Sequence, residues 1–162
     1  MEENTLEIPT ESHLTFNLDQ EMFCVSVNCV AKILEMTDIT RVPESPAYMK
    51  GIINLRGNIL PVVDTRMKLG LDSVEYTNRT RILVLDIRTG DQTLTLGAIV
   101  DLAKEVITIN TEEILPPPSL EDYERAPYIE GIVNHGEKFV MILNINKLFA
   151  KNELEEMAEA QA

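Results

Sequence analysis

Residues 46–69 read PAYMKGIINLRGNILPVVDTRMKL, and residues 126–149 read APYIEGIVNHGEKFVMILNINKLF. Set one above the other at an offset of 80, Tyr48 meets Tyr128, Gly51 meets Gly131, Ile52 meets Ile132 and Asn54 meets Asn134. Deleting one residue brings Gly57 over Gly136, and a β-type run ending in Lys-Leu follows in both copies. Upstream, VNCVAKIL (27–34) matches IVDLAKEV (99–106) at an offset of 72. The longer proline loop EILPPPSLEDYERAP accounts for the change of eight. Similarity that keeps its order along the chain indicates two copies of one β-rich unit, 14–72 and 81–149.

Each copy breaks into short strands. HLTFNL and MFCVSV flank Asp19-Gln20-Glu21, RILVLDI and LTLGAIV flank RTGDQ, and GIINL and NILPVVD flank Arg56-Gly57, which makes three hairpins. In MFCVSV the alternation puts Phe23, Val25 and Val27 on one face and Cys24 and Ser26 on the other. Pro61 lacks a donor and is expected on an edge strand or at a bulge. SPAYMKG starts with a potential N-cap, Ser45, and has room for a turn or two of helix. NINKLFAKNELEEMAEA reads as a C-terminal helix. Evenly spaced short strands with turn signals predict an all-β fold of small closed barrels, one built from each copy, with few helices.

The net charge of −13 is unevenly distributed. Residues 1–12 hold four Glu and no cation, residues 151–162 hold four Glu and one Lys, and both are expected to be solvated acidic tails, mobile over 1–11 and 156–162. A body of residues 13–150 remains. Within it, seven cations (Arg41, Lys50, Arg56, Arg66, Lys68, Arg79, Arg81) fall in residues 41–81 against four acids. An acidic chain with no basic footprint is a poor nucleic-acid binder, but the local excess suits an acidic protein partner. No apolar run reaches the roughly 18 residues of a membrane span, and the acidic start is unlike a secretory signal; a cytoplasmic location is expected. Cys24 and Cys29 read as buried free thiols, and neither pairs with His13 or His135 at a metal-ligand spacing. No phosphate-binding glycine loop, dinucleotide fingerprint or nucleophile elbow occurs. No metal, cofactor or catalytic residue is expected, and two readings stay open: a protein-binding adaptor, or a small-molecule-binding β module.

The run Tyr48-x-Lys50-Gly51-x-x-Asn54-Leu55-Arg56-Gly57-x-x-x-Pro61-Val62-Val63-Asp64 resembles the hallmark segment of the CheW family of bacterial chemotaxis coupling proteins. The resemblance continues through RILVLDI, LGAIVDLAKEVITI, EILPPP, YIEGIV and MILNINKLF, over about residues 14–150. It implies a CheW-like domain of two intertwined, five-stranded SH3-like barrels. It also implies a non-catalytic adaptor between the cytoplasmic tip of a chemoreceptor (a methyl-accepting chemotaxis protein) and the regulatory domain of the histidine kinase CheA. A paralogue that scaffolds a different kinase array is the alternative. Carried over residue by residue, the family's contacts fall on Val30, Lys50, Gly51, Asn54, Leu55, Arg56, Gly57, Arg81, Ile82 and Ala103, mostly along a groove between the barrels. Two positions depart from the family pattern. Lys32 stands where an acidic partner of the arginine is common, and Arg81 stands where an apolar residue is usual. Arg56 therefore admits two readings: a donor presented beside a tight turn to a partner, or a rim residue covering the barrel with its aliphatic stem.

Overall fold

The computed structural model describes residues 7–117 and 127–161. Ten strands form in chain order: β1 (Thr10–Leu18), β2 (Glu21–Ser26), β3 (Val30–Glu35), β4 (Met49–Leu55), β5 (Asn58–Asp64), β6 (Arg81–Thr89), β7 (Gln92–Val100), β8 (Leu102–Asn110), β9 (Ile129–His135) and β10 (Lys138–Leu143). Among the described residues three α-helices form: α1 (Thr65–Lys68) follows β5, and α2 (Ile145–Leu148) and α3 (Lys151–Gln161) follow β10. All three expected hairpins are present, β1–β2, β4–β5 and β6–β7.

The strands assort into two five-stranded sheets, with orders β8-β1-β2-β10-β9 and β3-β6-β7-β5-β4. Neither sheet comes from one copy of the repeat. The β1–β2 hairpin of the first copy lies between β8 and β10 of the second, and the β6–β7 hairpin of the second lies between β3 and β5 of the first. The boundaries 14–72 and 81–149 are thus repeat boundaries, and the expectation of one barrel per copy is corrected to an exchange of hairpins. The exchange is sealed by two parallel pairs, β2 with β10 and β5 with β7. It buries both faces of β2. Phe23 and Val25 join the cluster between the sheets, while Cys24 joins Ile107, Val133, Val140 and Ile142 inside the first barrel. The second barrel has its own interior of Ile53, Leu60, Val62, Ile82, Val84 and Ile99. Three apolar cores therefore stack in series, and the middle one, with Leu14 and Phe16 against Leu83 and Leu85, bonds the two halves.

Each sheet curls until the chain beyond one edge strand reaches the other edge. Past β3, Thr40 exchanges both backbone hydrogen bonds with Ile52 of β4, at 2.9 and 2.8 Å; past β8, Leu115 does the same with Ile132 of β9, at 2.8 and 2.9 Å. Glycine precedes each bridging isoleucine because a Cβ there would run into the crossing strand: Gly51 faces the carbonyl oxygen of Thr40, and Gly131 faces that of Leu115. The Tyr48 and Tyr128 carbonyls accept from the N–H groups of Asp64 and Asn144, both at 2.7 Å, and these two residues N-cap α1 and α2. The expected equivalence of the two tyrosines and of the two glycines holds.

The one-residue deletion does not. Asn54 pairs with Ile59 and Asn134 with Phe139, so the offset of 80 persists through both hairpins. Arg56, and not Gly57, is the counterpart of Gly136. Pro61 also differs from expectation, since β5 is an interior strand. It is tolerated because its partner Ile52 directs its own bonds outward to Thr40, which leaves Pro61 facing β7 just before that parallel ladder starts at Val62. SPAYMKG forms a turn, closed by Met49 N–H on the Pro46 carbonyl, and no helix.

The C-terminal segment is no solvated tail. Leu154 and Met157, one helical turn apart, are 8% and 4% exposed and belong to the central core. Glu153 accepts from Tyr48 Oη (2.8 Å), from Lys68 Nζ (2.8 and 2.9 Å) and from the Ala150 N–H (2.6 Å). Burial pushes its carboxyl up, yet the bonds from Lys68, Ala150 and Tyr48 outweigh that and hold it below the usual range. At the other end, Thr10–Ser12 are already in β1, and residues 1–6 lie outside the described residues.

Candidate functional site

The β4–β5 turn has two residues, Arg56 at φ 53° and Gly57 at φ 86°. Positive φ at both central positions is the signature of a type I′ turn, which matches the twist of the flanking strands and favours Asn-Gly. Glycine at 57 answers that backbone demand and no other, because a Cβ there would meet nothing within 4 Å. The Asn54 side chain caps the turn by accepting from Gly57 N–H at 2.7 Å. Arg56 is the anomaly. A side chain in this region strains the backbone by about 1–2 kcal/mol, and the equivalent turn position of the other copy is Gly136, at φ 66°. The guanidinium is exposed and has no ion pair or hydrogen bond among the described residues, with Lys32 and Glu35 included among the non-partners.

The remaining expected contacts disperse. Leu55 is half-buried against the second barrel's interior. Val30 and Ala103, at the starts of β3 and β8, are half-buried against the core between the sheets. Lys50 stands at the far end of β4 from Arg56. Six residues of strand at about 3.3 Å each separate the two by about 20 Å, so they serve different spots. Three of the expected positions have a place within the fold itself. Ile82 is 0% exposed and fills the second barrel. Gly51 is buried under Thr40. Arg81 donates to the carbonyls of Asn78 (2.9 Å) and Thr80 (3.0 Å), which fastens the loop before β6.

The cation excess of residues 41–81 is also smaller than counting suggests. Arg66 is buried, with its guanidinium 2.6 Å from Asp101 and 3.4 Å from Asp19, so it ties α1 to the β7–β8 junction between the sheets and to the β1–β2 turn. Lys68 is paired with Glu153 and lies 4.4 Å from the Tyr48 ring centroid and 5.4 Å from that of Phe149. Sequence reading missed both networks because charge counts carry no partners. Cys24 is buried, which pushes its thiol up to about 12, and Cys29 is half-buried with its thiol raised by burial.

Two five-stranded sheets that exchange hairpins, with the Arg56 turn exposed at one tip, define a mainly β scaffold. The chain belongs to the family of CheW-like domains, whose model matches residues 12–153. It is 33% identical over 159 residues to a chemotaxis protein CheW of Bacillus subtilis, covering 98% of this chain and 99% of that one. It is 31% identical over 142 residues to a probable chemotaxis protein CheW of Rhizobium etli, covering 88% and 89%. Among solved structures it resembles the scaffolding protein TtCheW of Thermoanaerobacter tengcongensis, with a TM-score of 0.76 and 32% identity over 87% of this chain and 93% of that one.

Proposed function

We propose that this chain is a non-catalytic adaptor of bacterial chemotaxis that links the cytoplasmic tip of chemoreceptors to the regulatory domain of the histidine kinase CheA. The relatives named above are chemotaxis and scaffolding proteins, and they match over nearly its whole length. The observation that carries the site is Arg56, a residue held in strained backbone where the repeat has glycine, with its fork of donors turned to solvent. Asn54 and Gly57 set the turn, and Leu55 supplies apolar area beside it. Val30 and Ala103 offer a second apolar contact at the seam between the barrels. The adaptor works in the cytoplasm beneath the receptors and needs no membrane segment, nucleic acid or cofactor; among the described residues no helix is long and apolar enough to cross a membrane. Titrating the purified chain into a receptor signalling fragment and, separately, into a CheA regulatory domain tests this reading. Saturable binding to both is expected, and binding to neither overturns it.

A further inference from the structure

Once Arg66 and Lys68 are paired internally, two of the remaining cations converge away from the Arg56 turn. Arg41 and Lys50 line a recess of about 300 Å³ together with Ile39, Pro46, Met49 and Tyr76, and among the described residues no Asp or Glu lines it. The Tyr76 ring is anchored from behind. Its hydroxyl donates to Asp64 Oδ2 at 3.0 Å, and the other oxygen of that buried carboxylate accepts from the Met67 N–H at 3.3 Å. Lys50 Nζ lies 6.0 Å from the ring centroid, at the outer reach of a cation–π contact. Neither Arg41 nor Lys50 has a carboxylate partner among the described residues.

Hydrocarbon walls, one fixed aromatic face and two cations with no carboxylate partner among the described residues suit an anion carried on a short aliphatic stem. The volume lies at the small end of ligand sites, roughly 300–1,000 Å³, which leaves room for a single side chain. We propose that this recess is an anchoring site for one Glu or Asp side chain presented by a protein partner. The stem lies against Ile39 and Met49, and the carboxylate sits between Arg41 and Lys50, where a bidentate arginine contact is available. A protein side chain is favoured over a free inorganic anion because Ile39, Pro46 and Met49 give the stem apolar surface to cover. The identity of that partner rests on the adaptor reading; the chemistry of the recess does not. With Arg56 about 20 Å away along β4, the two sites act independently.

Two arms test this. In the first, Arg41→Glu and Lys50→Glu are titrated against the receptor fragment and the CheA regulatory domain, with Arg56→Ala as reference. Each reversal is expected to weaken binding to one partner at least tenfold at low salt, with the melting temperature unchanged. If Arg56→Ala weakens binding while both reversals stay within twofold for both partners, the recess proposal is overturned and the adaptor reading stands. In the second, N-acetylglutamate is titrated into the wild-type chain by NMR. Saturable shifts at Arg41, Lys50 and Tyr76 that disappear in Lys50→Glu support the site even if neither partner binds. Absence of those shifts, or equal shifts from inorganic phosphate, overturns it.

Discussion

Replacing Arg56 with glycine separates presentation from support. The native residue sits at φ 53°, where its Cβ strains the backbone by about 1–2 kcal/mol. Glycine removes that strain but loses about 0.5–1 kcal/mol more conformational entropy on folding. The difference is a net gain of roughly 0.7 kcal/mol, or about 2 °C in melting temperature for a chain of this size. Alanine retains a Cβ, so Arg56→Ala is expected to leave stability within about 0.5 kcal/mol of the native chain. Both substitutions delete the guanidinium, and both should weaken partner binding by about 1–2 kcal/mol, or roughly tenfold. Thermal melts and isothermal titration on the same two variants provide the comparison. A glycine variant that melts several degrees below the native chain would show that Arg56 holds the fold, and unchanged affinity in either variant would remove it from the interface.

Truncation after Ala150 removes the buried Leu154 and Met157 and should cost at least about 3 kcal/mol, seen as a fall of about 6–12 °C in calorimetry. Because the folded Glu153 carboxyl is held below its ordinary range, its stabilising effect is present above the unfolded carboxylate value, about 4.3, and is lost as pH falls through the folded one. The melting-temperature gap between the native chain and Glu153→Gln should therefore be full at neutral pH and close in acid; a gap constant down to pH 2 refutes this. Gly51→Ala should cost about 3 kcal/mol or more in denaturant unfolding, because the new Cβ meets the Thr40 carbonyl at a φ that only glycine adopts freely.

The strands and hairpins were legible because each carries its own alternation and turn residues. The repeat was legible because Gly51 and Gly131 answer the same steric demand, a backbone crossing at Thr40 and at Leu115. Matching glycine to glycine then misplaced the turn. Strand register, and not residue identity, fixes the offset, and in register the counterpart of Gly136 is Arg56. The hairpin exchange left no local trace, since β1–β2 and β6–β7 present apolar faces that suit the three strands of either copy. The docking of α3 was visible in principle, in the one-turn spacing of Leu154, Met157 and Ala158, but the surrounding glutamates masked it. Among the candidate contacts, Gly57 was readable from turn chemistry, whereas Asn54 came from the family resemblance and its cap on the turn emerged only in the structure. Ile82 came from the family resemblance, which does not distinguish a residue that touches a partner from one that supports it, and here it is fully buried.

The adaptor claim requires simultaneous engagement of two partners. Sedimentation velocity on a mixture of this chain, a receptor signalling fragment and a CheA regulatory domain measures that directly. The account predicts a ternary species that disappears when the chain is omitted and is depleted by Arg56→Gly while that variant stays folded. Mutually exclusive binary complexes, or a ternary species indifferent to Arg56, would contradict it.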